Sequence, residues 1–481
     1  MKKIFILLSL VTLSVSCTDD ITDLNTDTKR PTVTKPEYLF TNAEKTLVDQ
    51  MVNTSVNLNV FRLFCQYWTE TTYPDESQYN ITTRTIPDNH FNILYRDVLR
   101  DLQESKVLLD KEVAPTAEAQ AILKNKKAIL EILTAYTYSV LVDTYGNVPY
   151  SEALDVQNHP LPKYDDGLTI YKDLISKLTS TVNSMNASAE SFNDADLIYG
   201  GNVTKWKKFA NSLRLKLAIN LHDVDPSYSS TQISAAISAG IITSNTENAS
   251  LKYLPLQPNA NPLYADLVVS GRNDFIPANT LVDKMNTLSD PRRAKYFDLK
   301  PGSTTYTGGI YGASNNFAAF SHISSTIADP TFSGTIFDYA ETEFLLAEAS
   351  ARGIAVGGSA ASHYALAITA SMENWGVDSA EITTYLARTD VAFDQTNWKK
   401  SIGEQAWIAL YNRGFEGWTS FRRLDFPKLV APATTFNNLK VVPTRYSYPA
   451  REETLNNTNV SAAINAIGGN KLDTKVFWDK F

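Results

Sequence analysis

The chain has 481 residues, 44 Lys and Arg against 52 Asp and Glu, and a formal net charge of −8. That balance argues against nucleic acid as a partner, because phosphate neutralisation needs clustered Lys and Arg. It argues equally against docking on an anionic lipid surface. A hydrophobic fraction of 43% is that of a globular protein, and the length allows one large domain or two to three smaller ones.

The first segment reads MKKIFILLSLVTLSVSCTDD. Two lysines precede an uncharged run from Ile4 to Ser16. The run is too short to span a bilayer, which takes about 20 apolar residues. A basic start, a short apolar middle and a small-residue end are the layout of an export signal. Ser14, Val15 and Ser16 lead directly to Cys17, and the stretch resembles a bacterial lipobox, in which the cysteine is acylated and becomes the first mature residue. An ordinary signal beside a chance cysteine is the alternative. The lipoprotein reading is preferred because one of only two cysteines falls at this position. With Cys17 acylated, Cys65 stands alone and no intramolecular disulfide can form. Cys65, in VFRLFCQYW, reads as a buried small hydrophobe.

The boundaries expected are a signal over 1–16, a polar tether over 17–34 and one domain over 35–481. The tether, CTDDITDLNTDTKRPTVT, has no helical or strand period and too little apolar surface to order itself. Beyond it the chain reads as mainly α. In KAILEILTAYTYSVLVDTYG the residues Ile129, Ile132, Leu133, Tyr136 and Val140 share one helix face, and Gly146 ends it. A helix follows Asp165-Asp166-Gly167 with Ile170, Leu174, Ile175 and Leu178. Another stripe runs through Trp206, Phe209, Leu213 and Leu217, and TQISAAISAG follows a turn at Asp225-Pro226. FDYAETEFLLAEASARG and SAASHYALAITASMENWG form an Ala-rich pair. IGEQAWIALYNRG and FEGWTSFRRLDFP form a tighter one, stopped by Pro427. About four helix–turn–helix units with small contact residues suggest a tetratricopeptide-like stack, although the strict 34-residue consensus is absent. Between the helices lie long irregular segments, 67–90, 251–280, 296–335 and 428–458. They hold too many aromatics for disorder and read as ordered loops with a few short strands.

No sequence signature of catalysis is present. G-x-S-x-G, H-E-x-x-H, C-x-x-C and G-x-x-x-x-G-K are all missing, and TGGIYG at 307–312 lacks the spacing of a nucleotide loop. The five histidines are scattered without metal-binding spacing, so neither a metal nor a cofactor is expected. A glycosidase needs two carboxylates across a cleft. Glu341 and Glu348 share a helix face, but helix–helix polar contacts or a solvated face account for them better.

The aromatic loops carry the better lead. A sugar ring has an apolar C–H face and a rim of hydroxyls. A flat aromatic with nearby amides, carboxylates and Arg offers the matching surface. QYWTETTYPDESQYNITTRT at 66–85 supplies Trp68, Tyr73, Tyr79, Asn80 and Arg84. The stretch 259–277 supplies Asn261, Tyr264, Arg272, Asn273, Asp274 and Phe275. The stretch 306–320 supplies Tyr306, Tyr311, Asn315, Asn316 and Phe317, with glycines that would let a loop approach a ligand. Tyr67 and Trp68 read alternatively as the end of a core helix.

Several motifs in order along the chain resemble one known family. They are YGNVPYSEAL at 145–154, WKKFANSLRLKLA at 206–218, the ETEFLLAEA helix with its partner ending in WGV, YNRGFEGWTSFRRLDFP, and VVPTRYSYPAREETLN at 441–456. Together with CTDDITDLNTDTKRPT they resemble the SusD/RagB-type outer-membrane lipoproteins of Bacteroidota. The resemblance implies a non-enzymatic protein on the cell surface that caps a TonB-dependent barrel of the SusC type. It would bind a nutrient, usually an oligosaccharide, and pass it on in a lid-like motion. Asp19 and Asp20 then resemble a surface-export signal. Arg422, Arg423 and the RYSYP segment are expected to be scaffold. The aromatic just after the first helix is a recurrent ligand platform in the family, which points to 67–84 here. Peptide binding on the same scaffold, a surface glycosidase and a purely structural assembly role are the competing readings.

Overall fold

Helix ends in the computed structural model, which describes residues 34–481, follow from side-chain chemistry already visible in the chain. The scaffold is built from α1 (Pro36–Val52), α2 (Arg100–Asp110), α3 (Ala117–Tyr145), α4 (Gly167–Ser184), α5 (Val203–Asn220), α6 (Pro226–Ser238), α7 (Tyr339–Ala351), α8 (Ala360–Asn374), α9 (Trp398–Ala409) and α10 (Gly414–Leu424). The Thr116 side chain accepts from the Ala119 N–H at 3.1 Å and opens α3. Asp166 accepts from Thr169 at 2.9 Å to open α4, and Asp338 accepts from Glu341 at 2.7 Å to open α7. Gly146, at φ +88°, closes α3, a conformation that costs glycine least.

The helices pack as antiparallel neighbours, α3 on α4, α5 on α6, α7 on α8 and α9 on α10, with α1 against α2. These are the helix–turn–helix units expected from the sequence. Four two-stranded antiparallel ribbons decorate them among the described residues. They are β1 (Trp68–Glu70) with β5 (Phe275–Pro277), β2 (Val148–Pro149) with β3 (Tyr164–Asp165), β4 (Ala249–Leu251) with β8 (Gly334–Phe337), and β6 (Phe297–Asp298) with β7 (His322–Ile323). Buried apolar residues from Phe40 to Trp478 form one contiguous cluster. No helix of the described residues is long and apolar enough to cross a membrane. The signal, Cys17, Asp19, Asp20 and the tether through residue 33 lie outside the described residues.

The stack is tied by buried ion pairs. Glu341 on α7 meets Arg413 at 2.5 Å and Lys216 on α5 at 3.3 Å, and Lys216 also pairs with Glu416 on α10. Glu348 binds Arg423 at 3.0 Å and Arg352 at 2.9 Å. Of the two readings open for the acidic residues of α7, helix–helix contact holds and a solvated face does not. Arg422 donates to the carbonyls of Asp143 and Thr444, both at 2.7 Å, and Arg445 to the carbonyl of Tyr145 at 3.0 Å. Both arginines are scaffold. Cys65 is fully buried, with Sγ 3.2 Å from the Gly414 carbonyl, and burial pushes its thiol pKa up.

Candidate functional site: a crown of three loops

The three loops singled out by their aromatics lie far apart in sequence, yet they meet around the β1–β5 ribbon. Trp68 pairs with Pro277 and Glu70 with Phe275. Beyond the ribbon, the Thr71 N–H donates to the Asp274 carbonyl at 2.9 Å, and its hydroxyl to the Asn273 carbonyl at 2.6 Å. The third loop closes over this edge. The Asn315 N–H donates to the Thr71 carbonyl at 2.6 Å, and its amide donates to the Glu70 carbonyl at 3.0 Å. A fourth segment joins through the Gln66 amide on the Val430 carbonyl, 2.7 Å, and the Phe436 N–H on the Gln78 carbonyl, 2.7 Å.

Burial sorts the residues these loops carry. Trp68 is fully buried; its indole N–H donates to the Tyr411 hydroxyl at 2.7 Å, and Arg62 lies 5.1 Å over its ring. The expectation of a stacking face at Trp68 is corrected: the residue is core, because β1 and β5 close over it. Tyr79 is likewise core. It packs edge-on against Phe64 at φ +68°, and burial pushes its hydroxyl pKa up to about 12. Phe275 is sealed against Trp68, and Tyr311 turns inward to donate to the Leu63 carbonyl at 2.7 Å. None of these four rings faces solvent.

Asn80 and Arg84 are loop braces. The Asn80 carbonyl oxygen accepts from the Thr83 hydroxyl at 2.9 Å, and Arg84 Nε lies 2.5 Å from Glu76. Asn261 is buried and caps a short turn by accepting from the Leu263 N–H at 2.7 Å. Asn315 is spent on the loop junction. The glycines of the third loop serve the protein itself. A Cβ on Gly308 would fall 2.5 Å from Asn279, on Gly309 2.3 Å from Ile276, and on Gly312 2.4 Å from Pro432.

The crown still presents a usable surface. Tyr73 is 61% exposed. It follows two residues after Thr71, which bonds the Asn273 and Asp274 carbonyls, and the Arg272 Nε lies 2.5 Å from Asp274. The Asn273 side chain is exposed, Tyr306 is half-buried against Phe297 with Arg293 over its ring, and Phe317 stacks on His322 at 3.9 Å. Ile310, 60% exposed, was missed by sequence reasoning, since an isolated aliphatic in a loop carries no pattern. The outer surface thus offers one open aromatic ring, an oriented guanidinium–carboxylate pair and side-chain amides, which is the chemistry that grips a polyhydroxylated ring.

Beneath the crown lies a carboxyl pair that the sequence did not announce. Glu70 and Glu76 are both buried and neighbouring; Glu70 accepts from the Ser77 N–H at 2.8 Å, and Glu76 pairs with Arg84 at 2.5 Å. Burial first, then the neighbouring Glu76, pushes the Glu70 pKa up to about 9, which favours its protonated form near neutrality. Glu76 is ion-paired with Arg84 and Glu70 is held by the Ser77 N–H, so this pair does not flank an open cleft as the separated carboxyls of a glycosidase do. Among the described residues no three His, Cys, Asp or Glu side chains gather as a metal site requires.

A family model, SusD-like_2, described as "Starch-binding associating with outer membrane", matches residues 28–449. The chain belongs to this family. Among solved structures it is similar to a chitin-binding protein, at 27% identity over 93% of this chain and 100% of that one, with a TM-score of 0.81. A SusD homologue from Bacteroides uniformis matches at 26% identity over 92% and 100%, TM-score 0.78. A chitin-binding SusD homologue from Flavobacterium johnsoniae, at 22% identity over 92% and 97%, shares the fold with a TM-score of 0.76. No curated protein matches the chain.

Proposed function

We propose that this protein is a cell-surface lipoprotein, anchored through Cys17, that binds an oligosaccharide on the loop crown without catalysis. It delivers the sugar to a TonB-dependent outer-membrane barrel of the SusC type and acts as the barrel's lid. The observation that carries the binding site is the convergence of three distant loops that leave Tyr73 exposed beside the Arg272–Asp274 pair. The description of the family as starch-binding and outer-membrane-associated, and the chitin-binding role of the relative at 27% identity, support a carbohydrate as the ligand. The lipid anchor rests on the resemblance of residues 14–17 to a lipobox.

Affinity electrophoresis in gels carrying different soluble polysaccharides tests the ligand class. Retardation by one glycan that disappears in Tyr73→Ala fixes both class and site. Absence of retardation across a broad panel overturns the carbohydrate reading and shifts the ligand toward peptide. For the anchor, Cys17→Ala should leave the protein unlabelled by radioactive palmitate, and for the partner, affinity isolation from outer membranes should bring down a barrel of the SusC type.

A further inference from the structure

A separate cleft of about 790 Å³ opens elsewhere on the molecule, between the start of α7, the end of α8 and the turn joining α9 to α10. Its volume lies within the range of ligand pockets, roughly 300–1,000 Å³. The half-buried indole of Trp375 lines it, with the Phe332 ring 5.9 Å away. The Trp375 indole N–H has no hydrogen-bond partner among the described residues. Two asparagines on the wall have their acceptors occupied: Asn374 accepts from Asn248 at 3.3 Å, and Asn412 accepts from Arg62 at 3.2 Å. Their amide N–H groups are left without protein partners among the described residues, and so is the ammonium of exposed Lys252.

The carboxylates of the same cleft are already spent. Asp196 accepts from three backbone N–H groups and from the Trp206 indole, and Asp338 holds the Glu341 N–H and lies 3.2 Å from Arg413. The lining therefore offers the rings of Tyr199, Phe332 and Trp375 and a set of unfilled donors, and its charges, Lys205, Lys252 and Arg413 against Asp196 and Asp338, nearly cancel. An acceptor-rich, uncharged ligand with an apolar face fits that demand, as a neutral saccharide does.

We infer that this cleft is a second saccharide-binding site, with Trp375 as its platform and Asn374 and Asn412 as its donors. It is distinct from the crown. A buried aromatic series separates the two: Trp375 packs edge-on against Tyr296 at 4.7 Å, Tyr296 stacks on Tyr411 at 4.3 Å, and Tyr411 receives the Trp68 indole N–H beneath the β1–β5 ribbon. The choice of a saccharide rests on the carbohydrate reading of the crown.

Calorimetric titration of the purified chain with chitin- and starch-derived oligosaccharides tests the inference. Trp375→Phe keeps a ring against Tyr296, and Asn374 is exposed, so both variants should fold; circular dichroism checks this. With one of the two glycans, two binding events are expected. Combining Trp375→Phe with Asn374→Ala should weaken one event by about tenfold or more, the scale of losing one or two hydrogen bonds, and leave the other, which Tyr73→Ala removes. If all binding is lost in Tyr73→Ala and none in the cleft variants, the cleft inference is overturned and the crown stands. If only the cleft variants weaken binding, the crown reading fails and the cleft stands. No heat with either glycan overturns the cleft as a saccharide site, whereas the crown reading falls only with the broader polysaccharide panel.

Discussion

Between α7 and α10, Glu341, Glu416, Lys216 and Arg413 are sealed from water, and every one of them faces an opposite charge. Around the β1–β5 ribbon the arrangement is reversed. There the aromatic rings Trp68, Tyr79, Phe275 and Tyr311 are inside, while Arg272, Asp274 and the Tyr73 ring remain at the surface. In the stack, polar groups fix one helix against another. In the crown, hidden aromatics hold the loops so that a few outer groups can meet a ligand. Abundance of aromatics in a loop therefore does not mark which of them contacts a ligand.

Removing one buried charge challenges this contrast most severely. Arg413→Ala strands Asp338, leaves Glu341 with Lys216 alone, and should cost about 3–5 kcal/mol in denaturant unfolding. Trp68→Ala should cost a similar amount, about 3–5 kcal/mol, as a cavity under the ribbon. A Trp68→Ala protein as stable as the parent would return that residue to the surface. Gly309→Ala, forced against Ile276, should lose about 1–3 kcal/mol by overpacking and loosen the crown, seen as faster amide exchange in residues 307–315.

The carboxyl pair gives a pH-dependent comparison. Because the Glu70 pKa is raised in the folded state, the fold holds more protons than the unfolded chain between the ordinary carboxyl range and about 9. The contribution of the pair is complete below that range and fades as pH rises toward 9. Glu70→Gln, which keeps a donor toward Glu76, should remove the loss. Relative to the parent, the variant should gain about 1 kcal/mol or more between pH 5 and pH 8.5, read as a shift in thermal midpoint. A constant difference across that interval would rule out the raised Glu70 pKa. The smallest effect on stability is expected at the outer surface. Tyr73→Ala should stay within about 0.5 kcal/mol of the parent while abolishing glycan retardation, a separation of binding from stability that no core residue can show.

Legibility differed between the two regions for a physical reason. Helix period, caps such as Asp166 and Asp338, and the stop at Gly146 are local, so the stack could be read directly from spacing. The same period placed Glu341 and Glu348 on one face, but whether that face met another helix or water was decided by packing. The crown has no such period. Trp68 and Tyr73 sit five residues apart in one polar loop, yet one is core and the other open. The donors around Trp375 escaped notice because Asn374, Asn412 and Lys252 come from segments far apart in the chain.

Spacing and motif order alone specify the helices, their pairing into a stack, the resemblance of the whole chain to one family and the three loops rich in aromatics. Those depend on contacts within a turn or two, or on motifs in order. Three-dimensional packing was needed to settle which aromatics are core, that the three loops meet, that Glu70 and Glu76 are buried together, and that a second cleft exists. Burial of a side chain in a loop is set by segments some 200 residues away, as Thr71 on Asn273 and Trp68 beneath Pro277 show, and no local pattern encodes that approach.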